Sequence, residues 1–151
     1  MSVKDILKKL LSFIGCTQKD PPSFKFKYAQ NYADGLPRPN AFVELSSETS
    51  SPIAINMIID SGADITMIPK RIGITLGLEK TGDKETISGI SGSLDYYEKD
   101  IFIEMGGCRI KTRCAWVMDD DVPLLLGRKD VFDKFKILFD EKNLEVIFIP
   151  H

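Results

Sequence analysis

The stretch Ile58-Ile59-Asp60-Ser61-Gly62-Ala63-Asp64 runs an apolar segment straight into a carboxylate, a hydroxyl and a glycine. A carboxylate at the mouth of a buried strand sheds part of its water, and that environment suits acid or base chemistry. Ser61 can hydrogen-bond to backbone and stiffen the turn, and Gly62 lets the chain bend sharply and admits a second backbone close by. On its own the tripeptide describes an ordinary turn equally well. A second segment, Pro123-Leu124-Leu125-Leu126-Gly127-Arg128, repeats the logic: an apolar strand ending on glycine, followed by Asp130-Val131-Phe132. The sole histidine is His151 at the terminus. A histidine-based metal site and a Ser-His triad are therefore both implausible, and carboxylate chemistry remains.

Together, and in this order, the two motifs resemble those of the retropepsins, the aspartic proteases of the retroviral type, with bacterial and archaeal cellular relatives especially similar. The resemblance spans residues 38 to 149. It implies a mostly β fold, a retropepsin-like closed β-barrel (the acid-protease fold), with one short helix in the C-terminal half. It implies an aspartic endopeptidase that cuts extended polypeptides with Asp60 as the catalytic carboxylate and with no cofactor or metal. Such an enzyme needs two carboxylates around one water, because a pair about 3 Å apart shares a single proton. This chain carries one Asp-Ser-Gly motif. An active enzyme must therefore be a homodimer in which Asp60 meets Asp60 of a second copy across a two-fold axis.

The same resemblance gives supporting roles to Ser61, Gly62, Ala63, Asp64, Gly127 and Arg128. Asp64 is expected to pair with Arg128, since each would be costly to bury alone. Gly89, Ile90, Ser91 and Gly92 sit where the family carries its flap, a segment that opens for peptide and closes to exclude water. Met67, Pro123 and Leu125 are expected to line the substrate cleft, where an extended peptide binds as an added strand. For Met67 and Leu125, a plain core position is an equal reading. Two other functions stand beside the enzyme: a catalytically silent retropepsin-like module that dimerises or binds peptide, and a membrane-surface scaffold dominated by the N-terminus.

The elements that must position these residues are short strands. Phe24 to Tyr28 alternates in strand fashion, Ala41 to Leu45 and Ile53 to Ile59 read as a hairpin, and Thr66 to Pro69 as a short apolar piece. Lys70 to Leu78 suggests a helical turn and residues 129 to 135 a short helix. Tyr97 to Met105 and Cys108 to Met118 read as strands joined at Gly106-Gly107. Lys136 to Phe139 and Leu144 to Ile149 read as a last hairpin. Many turn-separated strands indicate a β barrel.

A length of 151 residues and 43% hydrophobic content fit one domain with a real core. The domain is expected over 24–151, with 1–23 as an amphipathic helix and linker. A net charge of −2 leaves no electrostatic footprint for nucleic acid. No apolar run reaches the roughly 18 residues of a spanning helix. Three cysteines at irregular spacing argue against a disulfide framework.

In residues 2–14, Val3, Ile6, Leu7, Leu10, Leu11 and Ile14 share one helical face, with Lys4, Lys8 and Lys9 opposite. Three readings of this helix stand: packing on the domain or a partner, peripheral contact with a membrane surface, and a lipoprotein signal. The third rests on Phe13-Ile14-Gly15-Cys16, which loosely resembles a lipobox behind a short apolar run. The expected location is the cytoplasm, with this helix as the route to a membrane. Viral members build much of their dimer contact from short chain ends, so the longer N-terminal segment here implies an interface built differently.

Overall fold

The computed structural model describes residues 22–30, 32–89 and 92–151. The helix expected over residues 2–14, and residues 90 and 91 of the expected flap, lie outside them. Among the described residues ten strands and one α-helix follow in order: β1 (Phe24–Lys27), β2 (Asn40–Ser46), β3 (Ile53–Ile59), β4 (Thr66–Ile68), α1 (Lys70–Thr75), β5 (Lys84–Gly89), β6 (Gly92–Met105), β7 (Cys108–Val117), β8 (Leu125–Leu126), β9 (Phe135–Asp140) and β10 (Glu145–Pro150).

They form two sheets. The larger has the order β2-β3-β8-β4-β7-β6-β5, and the smaller is β1-β10-β9. β2 also pairs with β6, Glu44 to Glu104 and Ser46 to Phe102. Successive pairings thus lead from β2 through β3, β8, β4, β7 and β6 back to β2. The long β6–β7 hairpin turns at Gly106 and Gly107, whose φ values of 56° and 78° favour glycine. Along β7 the alternation buries Cys108, Ile110, Thr112 and Cys114 on one face, as an even spacing requires.

Trp116, Met57, Leu45, Ile68, Ile103 and Leu126 are buried in one core cluster. α1 is pinned to it by Trp116, whose indole Nε1 donates to the Lys70 carbonyl at 3.1 Å. A methyl at Gly73 would sit 2.1 Å from that Nε1, so only glycine lets the helix lie this close. The small sheet joins the same core through Phe24, Phe26, Phe135 and Phe148, with the Phe24 and Phe148 rings stacked at 5.3 Å. Aromatic pairs of this kind add about 0.5–1.5 kcal/mol beyond their burial.

The helix expected in the C-terminal half is corrected by the structure. Residues Phe132–Lys134 form a single 3-10 turn, and the α-helix of the described residues is Lys70–Thr75, within the stretch expected to make a helical turn. The reason is local. Asp130 takes a left-handed φ of 64°, which helical backbone excludes, and Phe135 already begins β9, leaving no room for a second turn. Among the described residues no helix is long and apolar enough to cross a membrane.

Candidate active site

β3 ends at the buried Ile59, and Asp60 opens the turn that follows. The Asp60 amide donates to the Leu126 carbonyl at 3.1 Å, and the Ala63 amide closes the turn on the Asp60 carbonyl at 3.2 Å. The Gly62 amide donates to Asp60 Oδ1 at 2.9 Å. One carboxylate oxygen is therefore oriented by its own loop. A methyl at Gly62 would stand 3.2 Å from that oxygen, so glycine keeps the space around it open.

The downstream motif is the brace of this loop. β8 runs parallel to β3, with Ile58 opposite Leu125 and Ile59 opposite Leu126, and antiparallel to β4 through Met67 opposite Leu125. It thus fills the gap between the strand that enters the Asp60 loop and the strand that leaves it. Gly127 passes so close that a methyl there would lie 2.3 Å from the Ile65 carbonyl carbon. The Gly127 amide donates to the buried Thr66 hydroxyl at 3.1 Å. The Arg128 and Lys129 amides then donate to the Ala63 and Asp64 carbonyls at 2.9 and 3.0 Å. The far side of the Asp60 loop is thereby stitched to the second motif.

Asp64 and Arg128 do pair, guanidinium to carboxylate. The side chains are 83% and 55% exposed, so the expected cost of burying each charge alone does not apply. An exposed pair adds at most about 1 kcal/mol. Its place, at the rim of a cleft, matters more than its strength.

That cleft, about 350 Å³, takes Ala63, Asp64, Ile65, Met67 and Leu125 from the motif side and Ala115 from β7. Ile87 and Tyr96 reach it from the β5–β6 hairpin. Met67 and Leu125 line this cleft, and Pro123 is exposed and is not among its lining residues. Gly89 and Gly92 pair at the end of the same hairpin. Thr66, Ile65, Ile87, Tyr96 and Ala115 also belong to the site, beyond the residues expected from the sequence. Strand alternation carries a signal for Ile87, whose odd-numbered face is set apart from Lys84, Thr86 and Ser88. No local pattern marks Thr66 as the acceptor for Gly127.

The hairpin is tied on both faces. The Tyr96 hydroxyl donates to Glu85, and that bond, with burial, pushes the phenol up to about 12. On the other face Asp95 takes Lys84 Nζ at 2.8 Å and the Thr86 hydroxyl at 3.1 Å, which hold its carboxyl below the usual range. Cys114, beside Ala115 on β7, is a buried thiol pushed up to about 12 by that burial, the opposite of an activated nucleophile.

No family model and no curated protein matches the chain. Among solved structures, a retropepsin-like aspartic protease from Rickettsia conorii is similar with a TM-score of 0.59, at 19% identity, over 82% of this chain and 98% of that one. The EIAV protease complexed with the inhibitor HBY-793 is similar with a TM-score of 0.46, at 26% identity, over 60% of this chain and 82% of its own. The chain has a retropepsin-like fold.

Proposed function

We propose that this chain is an aspartic endopeptidase, active as a homodimer on extended polypeptide segments. The observation that carries the reading is the Asp60 loop itself. Its carboxylate is oriented by the Gly62 amide at 2.9 Å, its backbone is braced by Leu126 and Arg128, and it adjoins an apolar cleft roofed by a hairpin. A retropepsin-like fold supports it. In this reading the ring of pairings through β2 and β6 is the acid-protease barrel, residues 24–151 are the catalytic domain, and the β5–β6 hairpin is the flap.

In the dimer the two Asp60 carboxylates share one proton and one water. The ionised member takes a proton from the water as its oxygen attacks the scissile carbonyl carbon. The protonated member gives its proton to the carbonyl oxygen. As the tetrahedral carbon collapses and the C–N bond breaks, the proton held by the first carboxyl passes to the leaving amine. Ser61 stiffens the loop, and Asp64 with Arg128 fixes the cleft rim where the peptide backbone is received. Apolar walls at Ile65, Met67, Ile87 and Leu125 favour apolar substrate side chains.

The test is cleavage of a peptide library by the dimeric native chain and by Asp60→Asn, from acidic to neutral pH. Cleavage that disappears in the variant and is blocked by a statine-type transition-state mimic supports the enzyme. No cleavage by a chain shown to be dimeric would falsify it and leave the silent dimerisation or peptide-binding module, which the apolar cleft alone also suits.

A further inference from the structure

On the face of the large sheet turned away from its core, two glutamates meet. Along β2, Ala41, Val43 and Leu45 turn into the core, and Glu44 and Ser46 turn the other way. In the register of β2 and β6, Glu44 stands directly opposite Glu104. Like charges in that position repel and weaken a strand pair. Among the described residues no lysine or arginine forms an ion pair with either carboxylate. Arg109 stands across from Glu104 on β7, yet its guanidinium lies over the Phe102 ring, 4.3 Å from the centroid. Both glutamates, with Ser46, Glu48, Ser50 and Arg109, line a hollow of about 230 Å³ that shares no residue with the Asp60 cleft.

Ser46 separates this hollow from an ordinary solvated charge cluster. It is 8% exposed, as is Ser47 beside it. The Ser47 hydroxyl donates to the Leu76 carbonyl at 2.8 Å. The Ser46 hydroxyl has no hydrogen-bond partner among the described residues, and no side-chain oxygen among them is sealed from solvent without one. The Ser46 oxygen therefore opens into the hollow that the residue lines. A hydroxyl so deeply set, beside two unpaired carboxylates, is an acceptor set that lacks its donors. The geometry points to a binding site for a guanidinium group. Its planar fork of N–H donors can serve two carboxylates and a hydroxyl at once. It is also more weakly hydrated than an ammonium, so it leaves water more readily. Among the described residues no group of three acidic, cysteine or histidine side chains could hold a metal ion, and the hollow is large enough for an organic cation. A guanidinium seated there also removes the repulsion between Glu44 and Glu104. The source is either an arginine side chain of a polypeptide or a small free guanidinium compound.

The site stands apart from the protease reading, because its readout is binding and not cleavage. Titrating the isotope-labelled full chain with acetyl-arginine amide should give saturable NMR shifts centred on the amides of Glu44, Ser46, Glu48, Ser50 and Glu104. Acetyl-lysine amide, a point charge without the fork, should bind more weakly. Glu44→Gln and Glu104→Gln should each weaken arginine binding about tenfold, the loss of a charge-assisted hydrogen bond, and Ser46→Ala about threefold. Arg109→Gln, which removes the cation among the lining residues, should tighten it. Glu44→Gln should also melt no lower than the native chain, since it removes a repulsion and no support. Shifts that do not saturate at these residues overturn the site, as do carboxylate variants that bind like the native chain. Equal binding of the lysine compound overturns the guanidinium assignment. A Glu44→Gln chain that melts lower does so too, because the glutamates are then structural. An extended peptide carrying one arginine identifies the source: tighter binding than the amide assigns the site to polypeptide, and equal binding assigns it to a small free guanidinium compound, and either result supports the site.

Discussion

At the scale of single residues, the Asp60 loop depends on atoms that do no chemistry. Gly127 has backbone on the side where a side chain would go, and its amide has one acceptor, the buried Thr66 hydroxyl. Thr66→Val keeps the shape and removes that acceptor. It should cost about 1–3 kcal/mol, the penalty of a buried amide left unpaired, whereas Thr66→Ser should keep most of the stability. Gly127→Ala should be worse for function than for stability. It forces β8 away from Ile65, about 1–3 kcal/mol of overpacking, and that same shift withdraws the Leu126 carbonyl from the Asp60 amide. Thermal melting of both variants alongside turnover checks the ordering. If Gly127→Ala melts lower yet cleaves at the native rate, β8 does not position Asp60.

Among elements, what was legible in the sequence tracks how local the cause is. β3, the Gly106-Gly107 turn and the β9–β10 hairpin follow from alternation and turn chemistry, and each forms as expected. The helix expected over residues 129–135 does not, because the left-handed Asp130 and the start of β9 close the space, and neither is visible in hydrophobic periodicity. The insertion of β8 between β3 and β4 is likewise a long-range event, marked in sequence only by Gly127. The cleft inherits this split: its motif side was readable, while Tyr96 and Ala115 arrive through pairings set by the whole sheet.

The β5–β6 hairpin and the β1–β10 junction share a testable electrostatic feature. Tyr96 donates to Glu85, and Tyr28, held chiefly by burial and then by Glu141, is also pushed up to about 12. An acid whose folded value is raised favours the folded state below its unfolded value, near 10, and that advantage is lost as pH climbs toward 12. Following phenolate absorbance during alkaline titration should therefore show two late-ionising tyrosines that merge with the rest in denaturant. Tyr96→Phe and Tyr28→Phe should each remove one of them. A late component unchanged by both substitutions would disprove the assignment.

For the whole molecule, the decisive question is whether one chain or two makes the site. On the proposed reading, the one Asp-Ser-Gly motif in 151 residues supplies half of a carboxylate pair, so activity should belong to the assembly and show the statistics of pairing. Adding an equal amount of Asp60→Asn chain to native chain, and letting subunits exchange, leaves about a quarter of the dimers with two aspartates. The native chain in the mixture should then lose about half the activity it has alone, and more as the variant is added in excess. A monomeric enzyme would be indifferent to the addition, apart from competition for substrate, which saturating substrate removes.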